Sequence, residues 1–193
     1  MIGYSAEEIR KELMLVDEEV GLEIELGNLP SEAVRFEILL AGGSVFFINN
    51  MTPRQASMDI DTMRVDSAIK GIVSRHGLFN NRVLTFEDQL PYCYEDRLQE
   101  LPLKTKHVRY LSPSNEDLAV MKLYAWRDTD VDDLRNPVFA GRLDWDLLER
   151  LVYEEAPLSR AADADKDRRY QEMVATYEHY KNHCREMGYV QAS

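Results

Sequence analysis

The chain has 193 residues, of which 45% are hydrophobic and 30% charged, and its formal net charge is −12 at pH 7. That apolar fraction suits a buried core and excludes wholesale disorder, while the length allows one generous domain or a core with a helical annex. The acidic balance argues against a surface coated for nucleic acid. No run of eighteen apolar residues occurs, and the acidic N-terminus lacks the regions of a signal peptide, so a cytoplasmic protein without a membrane partner is expected. The two cysteines, Cys93 and Cys184, make no disulfide framework and are expected as reduced thiols.

Ser5 and Glu8 have the spacing of a capping box, and Ile9, Leu13, Val16 and Val20 recur at helical intervals, which predicts a helix over about 5–20. Leu29, Pro30 and Ser31 punctuate the chain. Val34, Phe36, Ile38 and Leu40 then alternate as in a strand that delivers Gly42, Gly43 and Ser44. Residues 44–49 read as a short helix, 51–56 as a connecting loop around Pro53, and Asp59-Ile60-Asp61 as a second strand. Asp66 or Ser67 can cap a helix with Ile69, Ile72 and Val73 on its apolar side and Gly77 at its end. Residues 82–86 and 106–111 are short extended runs, with an ambiguous stretch at 92–103 between them. The fold class expected is α/β of the α+β kind: a small mixed sheet of three to five strands with flanking helices over 1–110, followed by a helical region over 111–193.

In that second region Ser112-Pro113 reads as a helix cap and first-turn proline. Leu118, Met121, Lys122 and Ala125 stand at i, i+3, i+4 and i+7, so Lys122 lies on or beside the buried face, where an ammonium needs a partner. Either it pairs with a structural acid or snorkels to the core edge, or it reaches into a site and meets phosphate or an acid cluster. Asp130 and Asp133, after Arg127 and before Leu134, share a helix face and repel each other unless a lysine or a metal intervenes. Asp144 can start a helix bearing Leu147, Leu148, Leu151 and Val152, residues 156–164 read as a linker, and a last helix over about 166–187 carries Tyr170, Met173, Tyr177, Tyr180 and Cys184. His179 and His183 have a spacing that zinc could use, but with no third ligand facing the same way they read as a polar face.

The chemistry concentrates between residues 38 and 64. A strand there points Asp59 and Asp61 to one face and Met58 and Ile60 to the other. Carboxylates so placed repel unless a cation sits between them, and oxygen ligands of this kind suit Mg²⁺, which keeps several waters and shares its other positions with phosphates. Glycines at 42 and 43 let backbone N–H groups approach a phosphate, and Ser44 adds a hydroxyl and a helix start. Alone, a Gly-Gly pair is usually a turn and Asp-Ile-Asp a solvated strand. The combination points to a nucleoside triphosphate held between turn and metal. The charge distribution is compatible with this: residues 1–49 sum to −7, 50–110 to +1 and 111–193 to −6. In the middle segment Arg54, Arg64, Lys70, Arg75, Arg82, Lys104, Lys106 and Arg109 either accompany a triphosphate or an RNA end, or are scattered solvated charges.

The order Gly42-Gly43-Ser44, Arg54-x-x-Ser57-x-Asp59-Ile60-Asp61 resembles the nucleotidyltransferase superfamily, whose signature is a Gly-Gly or Gly-Ser turn followed by a metal-binding Asp-x-Asp strand. The stretch from Leu111 through Lys122 and Ala125 to Asp130, Asp133 and Leu134 is similar to the C-terminal motif of the AbiEii-type nucleotidyltransferase toxins and related bacterial families. The resemblance implies that Gly42, Gly43 and Ser44 face the triphosphate, with Arg54 and Ser57 in the same nucleotide-binding group. It further implies that Asp59 and Asp61 hold Mg²⁺, that Lys122 binds phosphate, and that Asp130 is the remaining acidic residue, with Asp133 as fallback. Ser57 matches a Ser or Thr that accepts a modification in some of these toxins. The implied activity is transfer of a nucleotide from an NTP to a tRNA 3′ end or a protein hydroxyl, with an antitoxin protein masking the site in a toxin–antitoxin pair. The chain departs from the pattern in two ways: no acid lies within the later strands, leaving Glu87 or Asp88 as substitutes, and Lys122 is only eight residues from Asp130. The alternative expectation is a binding or regulatory module that keeps the fold without the reaction.

Overall fold

The first helix begins where its sequence satisfies its own backbone. In the computed structural model, which describes residues 3–31, 35–77, 79–80, 89–156 and 164–190, Glu8 N donates to Ser5 Oγ (3.2 Å) and Ser5 N to Glu8 Oε2 (2.7 Å), closing the capping box of α1 (Ala6–Glu25). Ile9, Leu13, Val16 and Val20 form its buried stripe. The helix continues past residue 20 because Leu22, Glu23, Ile24 and Glu25 are compatible with it, and the chain turns away where Gly27 takes φ +76°. This helix belongs to the first of two compact units, made of Met1–Asn50, Arg54–Leu84 and Leu98–Ser112. The second consists of Met51–Pro53, Thr85–Arg97 and Pro113–Ser193.

In the first unit β1 (Phe36–Leu40), β2 (Ile60–Val65), β3 (Phe79–Asn80), β4 (Gln99–Glu100) and β5 (Val108–Ser112) form one mixed sheet in the order β3-β2-β1-β5-β4. The central strand β1 runs parallel to β5 and antiparallel to β2, while β3 is parallel to β2 and β4 antiparallel to β5. Ile38, Leu39 and Leu40 are buried in succession, as expected of a strand covered on both faces. A register shift lies at the end of β1: Leu39 opposes Arg64, but Leu40 opposes Thr62. Such a bulge bends the pair locally, and here it leads the chain into α2 (Gly42–Ile48), which starts at the glycines rather than at residue 44. Helix α3 (Lys70–Arg75) is shorter than the sequence suggests, because Asp66 Oδ1 accepts from Ala68 N (2.9 Å) in a turn ahead of it. The ambiguous stretch at 92–103 contains a 3-10 turn at Tyr94–Arg97 and then β4. Val34, the expected extended run at 82–86, and Glu87 and Asp88 lie outside the described residues.

A buried carboxylate ties α1 to the strand that follows. Asp17, only 4% exposed, accepts from the main-chain N–H groups of Lys106 (3.0 Å), His107 (2.8 Å) and Val108 (2.7 Å). Three consecutive donors at the entry to β5 are thereby satisfied without water. Tyr110 Oη adds a bond to Leu13 O (2.7 Å) in the same interface.

The described part of the second unit is predominantly helical: α4 (Asn115–Ala125), α5 (Asp128–Leu134), α6 (Pro137–Ala140), α7 (Trp145–Arg150) with a π-helical turn at Leu151–Glu155, and α8 (Ala164–Glu186). The cap of α4 is Ser114, whose Oγ accepts from Asp117 N (3.1 Å), and not Ser112. Pairing with Gln99 keeps Ser112 in β5, so Pro113 precedes the cap instead of occupying the first turn. Asp144 caps α7 through Asp146 N (3.1 Å) and Leu147 N (3.0 Å). On α8, Tyr170, Met173, Tyr177, Tyr180 and Cys184 recur at steps of three and four and are all buried, with Tyr180 Oη donating to Leu134 O (2.8 Å). Of the expected linker, residues 157–163 lie outside the described residues. Both cysteines are free thiols, and burial pushes that of Cys184 up to about 11. Among the described residues no helix is long and apolar enough to cross a membrane.

Asp17→Ala would take the acceptor from one buried main-chain donor, Val108 N, and from two part-buried ones, Lys106 N and His107 N. At about 1–3 kcal/mol for the buried group, with water able to reach the other two, a loss of about 1–3 kcal/mol in unfolding free energy is expected, read as a lower urea midpoint. A loss below about 1 kcal/mol would show that these donors find other partners.

Candidate functional site

The end of β1 sets the geometry. Ala41 N donates to Asp61 O (3.0 Å), pinning the residue ahead of the glycine turn to the strand that carries the acid pair. Gly42 then takes φ +64°, and a Cβ there would collide with Asp61 Oδ2 and lie 3.0 Å from its Cγ. Left-handed backbone and a carboxylate lying against it both select glycine. At Gly43 a Cβ would stand 3.0 Å from Arg54 Nη2 and 3.6 Å from Ser57 Oγ. The turn is thus flanked by Asp61 at its first glycine and by Arg54 and Ser57 at its second. The Arg54 guanidinium sits 5.2 Å above the Phe47 ring, and Ser57 exchanges two main-chain bonds with Tyr4 while its Oγ donates to Asp59 O (3.2 Å).

Asp59 immediately precedes β2 and Asp61 is its second residue. Ile60 between them is fully buried, and both aspartates are half-buried, in keeping with strand alternation. The two carboxylates converge on one atom: Asn80 Nδ2, on the neighbouring β3, donates to Asp59 Oδ2 and to Asp61 Oδ1 (3.1 Å). Asn80 is placed by its register opposite Asp61 and by Thr62 Oγ1, which donates to Asn80 O (2.8 Å). A two-residue strand leaves no periodicity to read, so Asn80 was not identifiable from sequence. Two hard carboxylates that reach a common atom are a donor set that fits magnesium, which commonly takes one or two carboxylates and completes its shell with water and phosphate oxygens. Among the described residues no group of three or more His, Cys, Asp or Glu side chains is gathered to hold a metal ion.

Other expected residues are placed differently. Ser44 is fully buried and its Oγ donates back to Ala41 O (3.1 Å), so its hydroxyl is turned into the fold rather than outward. Arg75 bonds Glu19, and Arg109 bonds Glu37 (3.1 Å) and Glu100 (3.3 Å), which makes them members of surface ion pairs. Arg82 lies outside the described residues. The ring of His179 meets Trp126 edge-on with centroids 6.3 Å apart.

Lys122, Asp130 and Asp133 belong to the second unit and gather there. Lys122 is 6% exposed, and its Nζ donates to Asp130 Oδ1 (3.0 Å) and Asp133 Oδ2 (2.7 Å). Arg127 Nε donates to Asp130 Oδ2 (2.7 Å), and Thr52 Oγ1, from the loop after α2, donates to Asp133 Oδ1 (2.5 Å). Pairing with acids therefore accounts for a lysine on the apolar side of α4, and a lysine lies between the two acids that share a face of α5. Burial by itself would raise the Asp130 carboxyl, but its bonds to Arg127 and Lys122 outweigh that and hold it below the usual carboxylate range. Thr52 carried no sequence signal, being a loop residue 81 positions from its partner.

Removing one member of a buried ion cluster costs about 3–5 kcal/mol, so Lys122→Met should lower the unfolding free energy by that order at pH 7. The depressed Asp130 carboxyl contributes stability that is present above the ordinary value near 3.9 and lost as the pH falls through the lower folded value. Urea titrations at pH 7 and about pH 3 should show a smaller acid-induced loss in Lys122→Met than in the wild type. Equal acid sensitivity would remove the lysine as the cause.

The family model described as "Nucleotidyltransferase of unknown function (DUF6036)" matches residues 11–185, which includes the glycine turn, the acid pair, Asn80 and the lysine cluster. No curated protein and no solved structure matches the chain. The match spans nearly the whole sequence, and its description agrees with the superfamily to which the glycine turn and Asp-x-Asp strand point. The chain belongs to this nucleotidyltransferase family.

Proposed function

We propose that this chain is a Mg²⁺-dependent nucleotidyltransferase whose reaction is carried by residues of the first unit. The observation behind this reading is the convergence of Asp59 and Asp61 beside a left-handed glycine turn, in a chain of a nucleotidyltransferase family. Gly42 and Gly43 offer backbone N–H groups to phosphate oxygens, with no Cβ to hold the ligand away. Arg54 and Ser57, close to Gly43, add a charged donor and a hydroxyl to the same place. Asp59 and Asp61 hold the magnesium ion, whose charge neutralises what develops on the α-phosphate and orients an incoming hydroxyl. Positioning and electrostatics carry catalysis of this sort, so few residues suffice.

The likeness to AbiEii-type toxins extends the proposal to a bacterial, cytoplasmic enzyme. Its nucleotide acceptor is a tRNA 3′ end or a protein hydroxyl, and an antitoxin protein masks its site. Lys122, to which that likeness gives a phosphate-binding role, has its ammonium bonded to Asp130 and Asp133, and the proposed chemistry does not draw on either acid. A second reading is a binding or regulatory module, favoured by the acidic balance of the chain, −12 at pH 7.

Incubation with each labelled NTP, Mg²⁺ and bulk tRNA should give incorporation that Asp59→Asn abolishes while the circular dichroism spectrum is unchanged. Undiminished incorporation by the variant would reject the assignment. Calorimetry with unlabelled NTPs separates the two readings: tight binding of one triphosphate only with Mg²⁺ supports the enzyme, and binding of none supports the module. Gly42→Ala, which forces a methyl group against Asp61 Oδ2, should lose incorporation as well.

A further inference from the structure

We propose that Asn80 is a positioning residue for the acid pair, its neutral carboxamide orienting Asp59 and Asp61 for a divalent cation without adding a positive charge to them; this rests on the nucleotidyltransferase reading above. The carboxamide nitrogen carries two hydrogens, and the geometry gives one to each carboxylate, at Asp59 Oδ2 and Asp61 Oδ1. The remaining Asp61 oxygen, Oδ2, lies against Gly42. The Asp61 carboxylate is therefore held at both ends, one oxygen on Asn80 and the other over the glycine turn. Asn80 is itself fixed through its backbone, opposite Asp61 in the β2–β3 register and bonded at its carbonyl by Thr62 Oγ1. The carboxamide thus has little freedom to drift from the acids it serves.

The identity of the donor carries the second half of the argument. This chain has another close acid pair, Asp130 and Asp133, and there the bridging donor is the ammonium of Lys122. An ammonium cancels negative charge. A carboxamide also orients carboxylates but is neutral and does not titrate, so it takes no negative charge away from the pair it holds. Hydrogen-bonded support of ligating carboxylates is a general feature of metal sites, and its removal typically lowers metal affinity about 10–100-fold.

Manganese binding to the full chain, followed by calorimetry, tests the proposal without recourse to activity. Asn80→Ala should weaken Mn²⁺ binding about 10–100-fold relative to the wild type. Asn80→Asp keeps the side-chain shape but replaces the donor with a third negative charge. Its melting temperature in chelator should fall, and the gap between chelator and saturating Mn²⁺ should widen. Mn²⁺ affinity of Asn80→Ala within twofold of the wild type, or tighter, would overturn the proposal. So would a fall in the melting temperature of Asn80→Asp that is the same with and without Mn²⁺, since that is the signature of a merely structural role. Asp59→Asn serves as the control for the underlying reading. If the wild type binds no Mn²⁺, or if Asp59→Asn binds it equally, the magnesium assignment itself fails. If the wild type binds and Asp59→Asn does not, an unaltered Asn80→Ala removes the role of Asn80 alone.

Discussion

Two aspartates one residue apart at the start of β2 send like charges to the same face of a sheet, and the local structure of the first unit is arranged around keeping them there. Unit charges about 4 Å apart repel by roughly 4 kcal/mol at an effective dielectric near 20. A hydrogen bond to a charged group contributes about 1.5–3 kcal/mol, so the two bonds that Asn80 Nδ2 donates are of the size needed to offset such a repulsion. The bulge at the end of β1, the bond from Ala41 N to Asp61 O and the positive φ of Gly42 complete the same construction. A side chain at position 42 would strike the carboxylate that this geometry holds in place.

Carboxylates recur as a structural problem in so acidic a chain, and the problem is met in three chemically distinct ways. Asp17 is buried against consecutive main-chain donors, which fix the entry to β5 without any side-chain cation. Asp130 and Asp133 are compensated by an ammonium, with further bonds from Arg127 and Thr52. Asp59 and Asp61 alone among these are bridged by a neutral amide and remain half-buried. The first two arrangements use up the charge inside the fold. The third supplies no positive charge of its own, and the pair stays half-buried.

Membership of a nucleotidyltransferase family agrees with this distinction. Phosphoryl chemistry asks little covalent work of the protein, so a site can be as small as a turn free of Cβ atoms, a pair of oriented carboxylates and a basic side chain nearby. Arg54, stacked on Phe47 and close to Gly43, is suited to the last of these parts. The short helix that the glycines open turns the Ser44 hydroxyl back onto Ala41 O.

Local signals were legible wherever a few neighbouring residues determine the backbone. Ser5 with Glu8 marked the start of α1, Asp144 the start of α7, and the spacing of Tyr170, Tyr177 and Cys184 the buried face of α8, because caps and periodicity are encoded within one or two turns. The glycine pair, Asp59 and Asp61 were legible as a motif, and Lys122 as a buried charge that needs a partner. Where strand pairing competed with a local signal, pairing prevailed: Ser112 has the look of a cap, but its ladder with Gln99 keeps it in β5 and passes the cap to Ser114. By itself, then, the sequence determined where the longer elements form, which faces they bury and which residue types could carry chemistry, while the two-residue strands β3 and β4 left no such signal. Only the tertiary structure decided which donor each carboxylate meets. Asn80 reaches Asp59 across 21 residues, Thr52 reaches Asp133 across 81 and Lys106 reaches Asp17 across 89, because hydrogen bonds depend on proximity in space and leave no trace in the spacing of residues along the chain.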